Sequence, residues 1–114
     1  MKIYIAGPMT GIENFNRVEF FLMADYLIKN GHVVMNPANH PEGFTQPEYM
    51  HVCFAMIDVC DAIILLPGWE KSKGAKFEYQ HALSKGKKTF RGWSEEVREE
   101  NTEQWEIEEM EAEE

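Results

Sequence analysis

Two short apolar runs, each closed by a glycine and a proline, constrain this chain more than any other feature. Lys2–Ala6 ends at Gly7-Pro8, and Ala62–Leu66 ends at Pro67-Gly68. Short β-rich runs bounded by breakers read as strands, and the wholly apolar second run reads as one buried on both faces. The intervening sequence changes period. Val18, Phe21, Leu22 and Ile28 follow helical spacing, interrupted by the polar Asp25, so a helix is predicted over residues 17–30. Asn16 is its expected N-cap, with Glu19 placed as in a capping box, and Gly31 its expected stop. His32–Met35 reads as a second strand, and residues 36–46 as a loop rich in turn formers. Pro47 suits the first turn of a second helix running to about Cys60. A third helix is expected over Gly74–Lys85 with Gly86 as its stop, followed by a fourth strand, Lys87–Phe90. Strands alternating with helices imply an α/β fold: a Rossmann-like three-layer sandwich whose short parallel sheet, in the common order 2-1-3-4, is covered on both faces.

At 114 residues the chain fits one compact domain, and 44% hydrophobic residues suffice for its core. No apolar run approaches the roughly 20 residues needed to span a bilayer. The N-terminus reads as a strand and not as a signal peptide, so a cytoplasmic protein without a membrane partner is expected. The net charge of −9 is unevenly placed. Residues 1–90 carry nine Lys/Arg against nine Asp/Glu, whereas residues 91–114 carry eleven Glu against Arg91 and Arg98. We therefore divide the chain into a domain, residues 1–90, and an acidic C-terminal segment, residues 91–114. The segment has no breaker after Ser94 and spaces Val97, Trp105, Ile107 and Met110 among its glutamates. It reads as helical for at least part of its length, docking through Trp105, or else as a frayed solvated end. Its charge argues against nucleic acid as a partner and leaves a basic protein partner open. Cys53 and Cys60, seven apart on a predicted helix, would lie about 10 Å apart along its axis, too far for a disulfide. With His32, His40, His51 and His81 scattered, no metal site is expected.

In open parallel sheets ligands bind beyond the carboxyl ends of the strands. Two loops qualify: Gly7-Pro8-Met9-Thr10-Gly11 after the first strand, and Pro67 to Gly74 after the third. In the order 2-1-3-4 they flank one crevice. Glycines there permit close approach of a ligand to the backbone, and Ser72, Gly74 and Ala75 stand at a helix entrance that offers free N–H groups to a phosphate. Neither loop carries a dinucleotide fingerprint or a Walker sequence. Glu78, four residues after Gly74, is placed to act as a nucleophile toward an anomeric carbon. The alternative is a helix-surface glutamate favoured by the positive end of the helix. Trp69 reads either as a base-stacking platform or as cover for a sheet edge or subunit contact, and Asp61 as a structural hydrogen-bonding residue.

These pieces combine into a recognisable pattern over residues 1–90: Tyr4-Ile5-Ala6-Gly7-Pro8-Met9, Gly31-His32-x-Val34-x-Asn36-Pro37, Cys60-Asp61-Ala62-Ile63, Leu66-Pro67-Gly68-Trp69-x-x-Ser72-x-Gly74-Ala75-x-x-Glu78 and Ala82-x-x-x-Gly86-Lys87. The pattern resembles the nucleoside 2-deoxyribosyltransferase-like superfamily. The resemblance implies cleavage of an N-glycosidic bond with Glu78 as nucleophile, oriented by Tyr4. It also implies a nucleotide held by Gly7, Pro8, Met9, Thr10, Ser72 and Gly74, no cofactor, and a homodimer or larger homo-oligomer. The transferases carry a carboxylate six residues before the nucleophile, gripping a sugar hydroxyl; the 2′-deoxynucleoside 5′-monophosphate N-glycosidases carry a serine, which helps hold a phosphate. Here that residue is Ser72, and Lys71, Lys73 and Lys76 add positive charge to the loop. The expected activity is hydrolysis of a nucleoside 5′-monophosphate. Two departures stand out. The basic residue those hydrolases carry near Thr10 is missing. The aspartate usual eight residues before Asp61 is Cys53, while Asp58 lies about 140° away around the helix. The chemistry then runs without that carboxylate, or a neighbour such as His51 substitutes, or the protein is a catalytically silent nucleotide-binding sensor or sponge.

Overall fold

In the computed structural model, which describes residues 1–92 and 107–110, the chain runs β1 (Lys2–Ala6), α1 (Arg17–Lys29), β2 (Val33–Met35), α2 (Gln46–Asp58), β3 (Ala62–Leu65), α3 (Lys73–Ser84), β4 (Lys88–Gly92) and β5 (Ile107–Glu109). The sheet order is β2-β1-β3-β4-β5. The first four strands are mutually parallel in the expected order 2-1-3-4, with Tyr4 level with Met35 on one side and Ile63 on the other.

Period-two alternation along the strands sorts the core into two layers. Ile3, Ile5 and Ile64 pack with Phe20, Met23 and Leu27 of α1. Tyr4, Ala6, Ile63 and Leu65 face the other way, onto Cys53 and Ile57 of α2 and Tyr79 and Ala82 of α3. Tyr4 is fully buried although its ring carries a hydroxyl, so that hydroxyl needs a polar partner inside the protein. α1 therefore covers one face while α2 and α3 cover the other.

Helix entrances follow local chemistry, with one correction. Thr45 and Glu48 form a reciprocal capping box at α2, with Pro47 in the first turn. The Ser72 hydroxyl caps α3 by accepting the Ala75 N–H at 3.2 Å. Asn16, expected to cap α1, does not. Its backbone is left-handed (φ 61°), and its side-chain amide instead donates to the Pro8 carbonyl at 2.9 Å. Asn14 and Phe15 are left-handed as well, so three successive non-glycine residues hold positive φ where the chain turns into α1.

β4 runs on through Gly92, past residue 90. The described part of the acidic segment is a strand: β5 lies antiparallel to β4, and the Met110 N–H donates to the Thr89 carbonyl at 2.8 Å. Pairing gives partners to the backbone groups that β4 would otherwise expose as a sheet edge. The rest of the segment expected to be helical, Trp105 included, lies outside the described residues. No helix among the described residues is long and apolar enough to cross a membrane.

Candidate active site

A cavity of about 500 Å3 opens at the carboxyl ends of β1 and β3, within the size range of small-molecule sites. In this order the chain leaves β1 toward β2 on one side and later lays β3 on the other, which makes their junction the switch point of the sheet. The loop after β1 contributes Gly7, Met9 and Thr10, and the α3 entrance contributes Ser72, Gly74 and Ala75. Gly7 is required by packing. A Cβ there would stand 2.8 Å from Cβ of Leu66, closer than side chains approach.

Glu78 forms the floor of the cavity. It follows Gly74 by four residues and so shares its helix face, turned inward with only 8% of its surface exposed. The Tyr4 hydroxyl donates a hydrogen bond to Glu78 Oε2, giving the buried phenol its partner. Burial pushes the Glu78 carboxyl up from 4.5 to about 7, against the opposing pull of hydrogen bonds from Tyr4 and Cys53. Burial, with the neighbouring Glu78 charge second, raises Tyr4 well above the ordinary phenol value, so it stays a protonated donor.

α2 supplies the facing wall through Gln46, Tyr49, Met50 and Cys53, spaced as one helical stripe. Cys53, the residue in place of the expected aspartate, interacts with both Tyr4 and Glu78. Burial and the adjacent carboxyl raise its thiol to about 11, so it is neutral at physiological pH. His51, the candidate substitute, does not line the cavity, and neither does Asp58. Asp58 points away and pairs with His81 at 2.7 Å, and His51 is exposed. Asp61 accepts the Lys2 N–H at 2.8 Å, as a structural residue would.

Tyr4, Gly7, Met9, Thr10, Ser72, Gly74 and Glu78 thus converge on one cavity, whereas Pro8 and Trp69 do not line it. Pro8 meets it only through its neighbours, its carbonyl being taken by Asn16. Trp69 packs edge-on against Tyr79, ring centroids 4.9 Å apart, and joins the core layer between the sheet and α2 and α3. Lys71, Lys73 and Lys76 are exposed and outside the lining. The positive charge comes instead from Arg17, the one Lys or Arg among the described lining residues. Sequence offered a cue: Arg17 is the only cation between Lys2 and Lys29, directly after the loop where ligands bind.

Two solved structures share this architecture. A CMP N-glycosidase, BcmB, from Clostridium botulinum is 20% identical with a TM-score of 0.58, over 78% of this chain and 68% of that one. A 2-desoxiribosyltransferase from Leishmania mexicana is 21% identical with a TM-score of 0.63, over 96% of this chain and 78% of that one. The chain has the nucleoside 2-deoxyribosyltransferase-like fold. It belongs to the family described as "Domain of unknown function (DUF4406)", which matches residues 1–90. None of the curated proteins matches it.

Proposed function

We propose that this protein is an N-glycosidase that hydrolyses a (deoxy)nucleoside 5′-monophosphate to a free base and a sugar phosphate. The observation that carries the reading is Glu78: a buried carboxyl at the floor of a ligand-sized cavity, hydrogen-bonded by a buried tyrosine. The likeness to a CMP N-glycosidase and a deoxyribosyltransferase supports the same bond as the target. In the first step the Glu78 carboxylate attacks the anomeric carbon, forming an ester as the carbon–nitrogen bond breaks, and the base leaves with the bonding pair and takes a proton from solvent. In the second, water attacks the same carbon and gives up a proton to solvent as the ester carbon–oxygen bond breaks, releasing sugar phosphate and the carboxylate.

Tyr4 fixes the carboxylate and favours its charged form. The Ser72 Oγ already accepts the Ala75 N–H, which leaves its hydroxyl proton for a ligand oxygen. The Lys73 and Gly74 N–H groups, in the first turn of α3, have no carbonyl within the helix to bind, which supports a phosphate at that end. The scheme uses no metal or organic cofactor. The resemblance extends the proposal to a homodimer or larger assembly, with residues 1–90 as the catalytic domain and 91–114 as an appended acidic segment.

One observation favours a second reading. The neutral Cys53 thiol cannot act as a carboxylate does, so a silent nucleotide-binding protein of the same fold is the alternative. Base release from a panel of ribo- and deoxyribonucleoside monophosphates, modified pyrimidines included, tests both. Release by wild type and not by Glu78→Ala is expected. Ligand-dependent thermal protection without release from any member would overturn the hydrolase and leave the binding protein.

A further inference from the structure

We propose that Arg17 is the residue that selects a phosphorylated substrate, and that Glu42 occupies its guanidinium until the substrate anion displaces it. The inference rests on the nucleotide reading above and adds the specificity determinant. Both side chains line the same cavity as Glu78 and Ser72, one from the start of α1 and the other from the loop before α2. Arg17 Nη2 lies 3.6 Å from Glu42 Oε1. That is contact distance for the charges but long for a charge-assisted hydrogen bond, which closes to about 2.8 Å. The guanidinium is therefore neutralised without being fully engaged.

The rest of its surroundings aim it. Nη1 donates to Asn14 Oδ1 at 3.3 Å, and the guanidinium carbon lies 5.1 Å from the Phe15 ring centroid. Both partners belong to the left-handed run Asn14-Phe15-Asn16, which brings Phe15 and Arg17 together to the cavity wall. Such backbone is unfavourable for residues with a Cβ and persists where its surroundings enforce it; here Asn16 is tied to the Pro8 carbonyl. A rigid, planar fork with a weakly engaged carboxylate suits bidentate capture of a phosphate, whose charge exceeds that of the carboxylate it replaces.

Glu42 is built to let go. Its side chain is 73% exposed, so on release it returns to water at little cost. Its loop is anchored elsewhere, through Tyr49, whose hydroxyl donates to the Pro41 carbonyl at 2.6 Å and accepts the Phe44 N–H at 3.2 Å. Release then needs only rotation of the exposed Glu42 side chain while the loop keeps its anchor.

The two residues should act with opposite signs, which a merely structural ion pair would not do. The assay is calorimetric binding of 2-deoxyribose 5-phosphate to the full chain at low and moderate salt, with circular dichroism as a check on folding. Arg17→Gln is expected to weaken binding at least about tenfold, the scale of a lost charged hydrogen bond. Arg17→Lys, the milder change that guards against misfolding, should fall between. Glu42→Gln should tighten binding by roughly threefold or more as a competitor is removed, and the gain should vanish in the Arg17→Gln background. Absence of binding by wild type, wild-type affinity in Arg17→Gln, or weaker binding in Glu42→Gln would each overturn the proposal. Base release is read separately. Base release with unchanged affinity in Arg17→Gln sinks this inference alone, and Arg17-dependent binding without base release sinks the hydrolase alone.

Discussion

Replacing Glu78 by glutamine should stabilise the protein, and by an amount that grows with pH. The carboxyl titrates near 7 when folded against 4.5 in an open chain, because folding buries it. A raised carboxyl pKa means that the folded state holds its proton more tightly than the unfolded chain does. Its contribution is complete below about pH 4.5, falls across the window up to about 7, and is gone above. At 1.36 kcal/mol per pH unit the gap corresponds to about 3 kcal/mol, of which about 2.5 kcal/mol is lost between pH 5 and 8. Glutamine keeps the volume and an oxygen to accept the Tyr4 proton, but carries no charge to desolvate. Melting curves of both proteins at pH 5, 6, 7 and 8 should therefore diverge, with Glu78→Gln gaining roughly 10 °C relative to wild type over that range. Base release should be absent in the variant throughout. Parallel stability curves would refute the reasoning, since Glu78 would then titrate alike in folded and unfolded protein.

Three further outcomes follow from the same geometry. Tyr4→Phe removes the donor that favours the charged carboxylate, so the acid limb of base release, expected near pH 7 in wild type, should move to higher pH while the rate falls about tenfold to a hundredfold; a pH–rate profile checks both. Gly7→Ala drives a Cβ to 2.8 Å from Leu66 and should cost about 1–3 kcal/mol in urea unfolding; an unchanged midpoint would contradict the close packing. Ending the chain after Gly92 removes β5 and bares the β4 edge, with an expected loss of about 1–3 kcal/mol and increased self-association on a sizing column. Base release should persist, since the cavity is built from residues 4–78.

The sheet layers are legible in the sequence because burial imposes a period of 2 on the strands. Ile3 and Ile5 against Tyr4, or Gly74 against Glu78, announce which residues share a face. The stripe read in α1, however, is the wrong face: Val18, Phe21, Leu22 and Ile28 are exposed, and Phe20, Met23, Ala24 and Leu27 are the ones buried. The convergence of Glu78, Tyr4 and the two loops follows once the sheet order 2-1-3-4 is granted. What stays hidden depends on contacts distant in sequence. Asn16 has the composition of a cap, but tertiary contact with Pro8 draws its amide away from the helix. The left-handed run carries no glycine to mark it. Residues 36–46 look like connection, yet with Arg17 they build one wall of the cavity. Nothing local marks Ile107–Glu109 as a strand, since glutamates disfavour strands and the open β4 edge is what recruits it.

The Cys53 departure acquires a physical sense from the charge balance of the cavity. A carboxylate at that position would stand against Glu78, and two like charges at one buried site cannot both ionise at neutral pH. One of them would keep its proton, and Glu78 is as deeply buried as position 53. With a thiol that stays neutral, Glu78 faces only the cost of burial, and its pKa of about 7 leaves a substantial charged fraction at physiological pH. The same economy of charge extends to the mouth. Arg17 and Glu42 cancel in the free protein, so the cavity is near neutrality apart from Glu78. An arriving phosphate that displaces Glu42 brings its charge to Arg17 and leaves the carboxylate at the floor without a competing anion beside it. The charged fraction of the nucleophile is then set by the proton equilibrium of Glu78, and the pH-dependent stability difference between wild type and Glu78→Gln reads that equilibrium directly.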